Sequence, residues 1–190
     1  LNAKNFKKLR AALMAKQEET NCKIHTVEDL LAHALALETD AAEKYREIAD
    51  VMKLHNNPEV ADLFMILASY ADQHAGEMQE KARGMKIPHI APWDFVWAGD
   101  NSPETADMSQ IHYKMTPYHV LHIALTLETD ARDFYAKIAK ESTNKDVILL
   151  AAEFADEETE HVELLQNWIP RYPKPAENWE EDLDPPVVHE

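Results

Sequence analysis

Residues 37–41 and 127–131 both read Leu-Glu-Thr-Asp-Ala, and each copy has a tyrosine seven positions after its glutamate, Tyr45 and Tyr135. At about 100° per residue on a helix, Glu38 shares a face with Ala34, Ala41 and Tyr45, and Glu128 with Ala124, Ala131 and Tyr135. Both acids therefore belong to an apolar stripe, with small residues at the neighbouring turns. Phe154, Glu158, His161 and Leu165 form a second kind of stripe, which turns Glu158-x-x-His161 inward and leaves Glu157 and Glu160 at or beyond its edge. The stretch 64–78 aligns Phe64, Leu67, Ala71, His74 and Met78, so that His74 holds the place of His161 while Ala71 stands where Glu158 has its counterpart. A buried carboxylate is expensive unless it takes up a proton, meets a cation or accepts strong hydrogen bonds. Carboxylate oxygens converging with neutral imidazoles suit a first-row metal ion with open coordination positions. A metal-free answer also exists: Arg132, one turn beyond Glu128, could reach inward and neutralise the acids.

Four helical segments must position these groups. Thr26-Val27-Glu28-Asp29 is a cap residue followed by first-turn acids and opens a periodic segment to about Lys53. Asn57-Pro58-Glu59 supplies the N-cap, N1 and first-turn acid of a second helix to about Gly84. A third starts at Thr116-Pro117 and fades near Ser142-Thr143-Asn144, and a fourth runs from about Asp146 to Trp168. Short turns make each consecutive pair an antiparallel hairpin. Between the pairs, residues 85–115 form a link long enough to run the length of a bundle, since a helix of about 25 residues spans roughly 38 Å. Ser102-Pro103-Glu104 within it reads as the start of a short helix. Residues 1–25 form an N-terminal arm whose segment 4–19 is amphipathic and basic, 26–168 the bundle, and 169–190 an acidic, proline-containing, extended tail.

Composition narrows the class. Only three glycines and a helical hydrophobic period make an all-α chain the expectation, and no apolar run approaches a membrane span. A formal charge of −16 disfavours nucleic acid and anionic membranes as partners. The single cysteine, Cys22, excludes an internal disulfide or a tetrathiolate site and fits a reducing compartment, so the cytoplasm is the expected location. No secretory leader pattern precedes residue 20. Trp93, Phe95 and Trp97 in the link, read as exposed, point with the spare N-terminal helix to a homodimer or larger assembly.

One glutamate from each of two helices, with Glu-x-x-His from each of the other two, is the inward ligand set of ferritin-like di-iron and di-manganese carboxylate proteins. Over residues 26–167 the chain resembles the rubrerythrin-like branch of that superfamily, through the runs around Glu38 and Glu128, the tyrosines at Glu plus seven, and ADEETEH at 155–161. The resemblance implies a ferritin-like four-helix bundle with a long crossover between helices two and three. It also implies two iron ions, with manganese or zinc as alternatives. Glu158 would bridge them, Glu38 and Glu128 would be terminal ligands, His74 and His161 would each bind one ion, and Tyr45 and Tyr135 would donate to the terminal carboxylates. The implied activity is that of a non-haem iron oxidoreductase acting on peroxide or dioxygen. Electrons would come from an external donor, since the rubredoxin-like cysteine set is absent from these residues. Ala71 departs from the pattern: either the second metal is weakly held, or the site is mononuclear, or an exogenous ligand fills the space. Iron storage in an oligomer and a metal-free interaction module are the competing readings.

Overall fold

The computed structural model describes residues 23–97 and 102–181. Its long elements are α1 (Val27–Leu54), α2 (Pro58–Lys81), α3 (Pro117–Glu141) and α4 (Lys145–Trp168), with single 3-10 turns at Pro92–Asp94, Met108–Gln110 and Ile169–Arg171. The helix boundaries follow the caps. Thr26 Oγ1 accepts from the Asp29 amide at 3.0 Å while the Asp29 carboxylate accepts from the Thr26 amide at 3.1 Å, which satisfies two of the amides a helix start leaves open. At the other end of α1, Asn56 takes a left-handed conformation (φ 55°), and the amides of Asn56 and Asn57 donate to the carbonyls of Lys53 and Met52. This is a Schellman closure, with asparagine in the position where glycine is usual. Asn57 then caps α2 directly, which makes the α1–α2 connection a tight hairpin.

Two asparagines establish the crossover. The Asn57 side-chain amide, at the start of α2, donates to the carbonyls of Tyr113 (3.1 Å) and Met115 (2.8 Å), immediately before α3. The start of α3 therefore lies beside the start of α2, and residues 82–116 return along the whole bundle. Asn144, the cap of α4, likewise donates to the His25 carbonyl at 3.0 Å, so α4 starts beside α1. The result is two antiparallel hairpins packed together with a long connection between them, a ferritin-like bundle.

The core divides along the axis. One apolar cluster holds Ile24, Leu30, Leu31, Leu37, Met78, Phe134, Tyr135, Val147 and Phe154. Another holds Ala41, Tyr45, Ile48, Met52, Val60, Phe64, Val120 and Leu127. Burial of each large side chain contributes about 1.5–3 kcal/mol, which far exceeds what helix propensity alone supplies.

The crossover departs from the sequence expectations. Ser102-Pro103-Glu104 starts no helix; the Thr105 amide donates to the Ser102 carbonyl at 3.0 Å and closes a turn with Pro103 and Glu104 at its centre. Phe95 and Trp97 are half-buried rather than exposed. Their rings meet His33 at 5.2 and 5.3 Å, edge to face, and only Trp93 projects fully. The tail folds back over its described part: the Trp179 ring lies 3.8 Å from that of His119, and Lys114 Nζ donates to the Glu181 carbonyl. The basic arm expected over 4–19, Cys22 and the last residues of the tail lie outside the described residues. Among the described residues no helix is long and apolar enough to cross a membrane.

Candidate metal centre

Each helix carries its polar groups at the junction of the two apolar clusters. Glu38 follows Leu37 and precedes Ala41 on α1, His74 lies between Ala71 and Met78 on α2, and Glu128 lies between Leu127 and Phe134 on α3. Glu158 is one turn beyond Phe154 on α4. Glu38 is 1% exposed and Glu158 5%, so neither is solvated in the ordinary sense. His161 Nδ1 stands 2.9 Å from Glu158 Oε2 and 3.1 Å from Glu128 Oε2. His74 Nδ1 stands 3.3 Å from Glu38 Oε1. The two imidazoles stack, with centroids 4.9 Å apart and planes within 2° of parallel.

The donors form two lobes. Ligand atoms of Glu128, Glu158 and His161 all lie within 4.8 Å of one another, and so do those of Glu38, Glu104 and Glu158. Glu158 belongs to both. Glu104 was not among the candidates read from the sequence. It descends from the crossover turn, is 6% exposed, and is flanked by buried Ser102 and Ala106. Helical periodicity carries no information about a loop side chain. The only available signal was an acid between residues small enough to be buried.

Electrostatics shows a cluster that stores protons. Burial raises the Glu38 carboxyl against the opposing pull of His74. Burial also raises Glu158, to about 8, although His161 opposes it. Glu104 is driven well above the usual carboxyl range by burial and by the charges of Glu38, Glu128 and Glu158. Glu128 goes the other way: burial alone would raise it, but hydrogen bonds from His161 and Glu158 outweigh that and leave it the most readily ionised of the four. His161 is raised to about 10 by its hydrogen bonds to Glu128 and Glu158. His74 is raised because Glu38 outweighs the effect of burial. A cation entering this space would displace those protons.

Two buried atoms have no hydrogen-bond partner among the described residues, Glu38 Oε2 and the Tyr135 hydroxyl. An orphaned buried oxygen costs about 1–3 kcal/mol, and a carboxylate lone pair aimed into a group of acids and imidazoles fits a metal donor better than a structural hydrogen bond. The expected hydrogen bond from Tyr135 to a carboxylate is not made. Both Tyr45 and Tyr135 are buried, and burial together with the surrounding glutamates keeps their phenols protonated. Arg132 does not turn inward. Its guanidinium pairs with Asp133 at 2.6 and 2.9 Å, so neutralisation of the acids by this arginine does not occur.

A helical bundle with one carboxylate from α1, one from α3, Glu-x-x-His on α4 and a histidine on α2 defines a ferritin-like carboxylate–histidine protein. The comparisons agree. The family model described as rubrerythrin matches residues 29–93, which span α1, α2 and the beginning of the crossover. A solved structure of an uncharacterized conserved protein from Magnetospirillum magnetotacticum MS-1 is 38% identical, with a TM-score of 0.60, covering 80% of this chain and 99% of that one. No curated protein matches. The chain belongs to the rubrerythrin-like branch of the ferritin-like proteins, and no rubredoxin domain is evident in it.

Proposed function

We propose that this protein is a di-iron oxidoreductase of the rubrerythrin type that reacts with peroxide or dioxygen and draws its electrons from an external donor. The observation that carries the reading is the pair of donor lobes sharing Glu158, with Glu38 Oε2 left without a protein partner between the helices. Glu128, Glu158 and His161 would hold one ion, and Glu38, His74 and Glu158 the other. Iron in such a donor set supplies redox equivalents and open positions for an oxygen ligand.

The chain's own residues supply the rest. The apolar clusters above and below keep bulk water from Glu38 and Glu158, while His74, Glu128 and His161 stay partly exposed. Glu158 lies within reach of both lobes, and the proton it holds up to about pH 8 in the absence of a cation would leave as metal binds, freeing its carboxylate to act as a ligand. The Tyr135 phenol is protonated and uncommitted, free to donate to an oxygen atom that arrives in the site. Reduction of peroxide to two waters takes two electrons and two protons. Tyr135 is placed to pass a proton to the reduced oxygen, the rest come from solvent, and the electrons come from outside the chain.

Anaerobic reconstitution with ferrous iron, followed by metal analysis, is the test. The expected result is about two ions per chain, falling by at least about half in Glu128→Ala. No bound iron, or metal content indifferent to Glu128→Ala, would overturn the proposal. Catalytic loss of peroxide with an added electron donor separates an oxidoreductase from a storage protein, which would accumulate ferric mineral instead.

A further inference from the structure

Ala71 leaves the second helix without the carboxylate that Glu158 provides on the fourth, and three helical glutamates cannot neutralise two divalent ions. The described residues offer one other acid in the site. Glu104 is buried, and its ligand atom lies within 4.8 Å of those of Glu38 and Glu158, the two helical acids of that lobe. Glu38, almost wholly buried and with its Oε2 lacking a hydrogen-bond partner, belongs to the same lobe. We propose that Glu104 is the fourth carboxylate ligand of the centre, so that the crossover turn, and not the second helix, completes the second metal position.

Three features support it. With Glu104 ionised, four glutamates balance two divalent ions, and the buried centre carries no net charge. Geometry holds the side chain in place: the Ser102–Thr105 turn is closed by a backbone hydrogen bond at 3.0 Å and by a hydroxyl pair at 2.8 Å, while Ala106 packs into the core beside it. Ala71 and Ala131, at inward positions on α2 and α3, are small, so neither helix projects a long side chain towards the incoming loop.

A mechanical consequence follows. A ligand carried by a loop ties the order of that loop to occupancy of the site, so metal loading clamps residues 102–106 onto the bundle. The remaining donors, all on helices, are not tied to the loop in this way.

The inference rests on the metal-binding reading, and its test separates the two. Wild type and Glu104→Gln are titrated anaerobically with Mn(II) alone and Co(II) alone, with stoichiometry from elemental analysis and the Co(II) ligand-field spectrum as a second readout. The expected result is about two ions in wild type and about one in Glu104→Gln, with the spectrum of the Glu128–Glu158–His161 lobe retained. Amide hydrogen exchange over residues 102–106 should slow on metal addition in wild type and not in the variant. Two ions bound to Glu104→Gln with unchanged affinity would overturn the assignment and leave the di-metal reading standing. No ions bound to wild type would overturn both. Should Glu104→Gln fail to fold, the exchange measurement on wild type decides alone, and rates at 102–106 indifferent to metal would refute the proposal.

Discussion

Replacing Glu158 by glutamine should stabilise the metal-free protein at neutral pH while weakening its metal binding. Glu158 is 5% exposed and its carboxyl is raised from 4.5 to about 8, so between those values the folded chain holds a proton that the unfolded chain has released. For an acid raised on folding, the stability associated with that proton falls as pH rises, beginning near the unfolded value and levelling off above the folded one. From about pH 5.5 to about pH 7.5 one such proton corresponds to roughly 2–3 kcal/mol, at about 1.36 kcal/mol per pH unit. Total folding stabilities run at about 5–15 kcal/mol, so this loss is large enough to measure. His161, raised to about 10, adds a fall of the same sign between 6.5 and that value, and glutamine at 158 leaves its pairing with Glu128 in place. Glutamine mimics the protonated acid at every pH. In chelator-containing buffer the variant should match wild type near pH 5.5 and exceed it by about 2–3 kcal/mol near pH 7.5, as read from urea melts of both proteins. Parallel pH dependences would refute the argument, because they would mean that Glu158 does not hold its proton at the cost of folding.

Two other perturbations probe the scaffold. Asn57→Asp keeps the cap oxygen but removes the donors to Tyr113 and Met115, and denaturant melts should show a loss of about 1–3 kcal/mol that Asn57→Ala exceeds by about 1 kcal/mol. His33 is buried and neutral, donating Nδ1–H to the Asp29 carbonyl at 2.7 Å and accepting the Val96 amide at 3.4 Å, and burial lowers its affinity for protons. Because the unfolded state takes up that proton first, the contribution of His33 is intact above about pH 6.5 and shrinks as pH falls below it. Hydrogen exchange at the Val96 amide should quicken roughly fivefold in His33→Ala at neutral pH, for a bond of about 1 kcal/mol; an unchanged rate would show that His33 does not tether the crossover.

The helices and most of the centre were legible in the sequence because both obey a period. Glu38, Glu128, Glu158 and both histidines sit at apolar positions of strong helical stripes; Thr26, Asn57 and Thr116 mark three starts, and the fourth, read at about Asp146, falls one residue earlier at Lys145. The crossover obeys no such rule. Ser102-Pro103-Glu104 carries the composition of a helix start, but the Ser102–Thr105 bond closes it as a turn, and nothing local says that this turn faces four helices. Phe95 and Trp97 read as exposed in the sequence for the same reason: the contacts that half-bury them are with His33, more than sixty positions away. Arg132 has an acid beside it, Asp133, and that local pairing draws its guanidinium away from the deeper acids. In each case the determining contact is either non-local or competes with one that is.

Neither hairpin carries both donor lobes by itself: the first brings one acid and one imidazole, the second two acids and one imidazole. Because residues 82–116 tether the halves, their encounter is intramolecular and does not depend on the concentration of the chain. Assembly of the coordinating groups is thereby insulated from dilution.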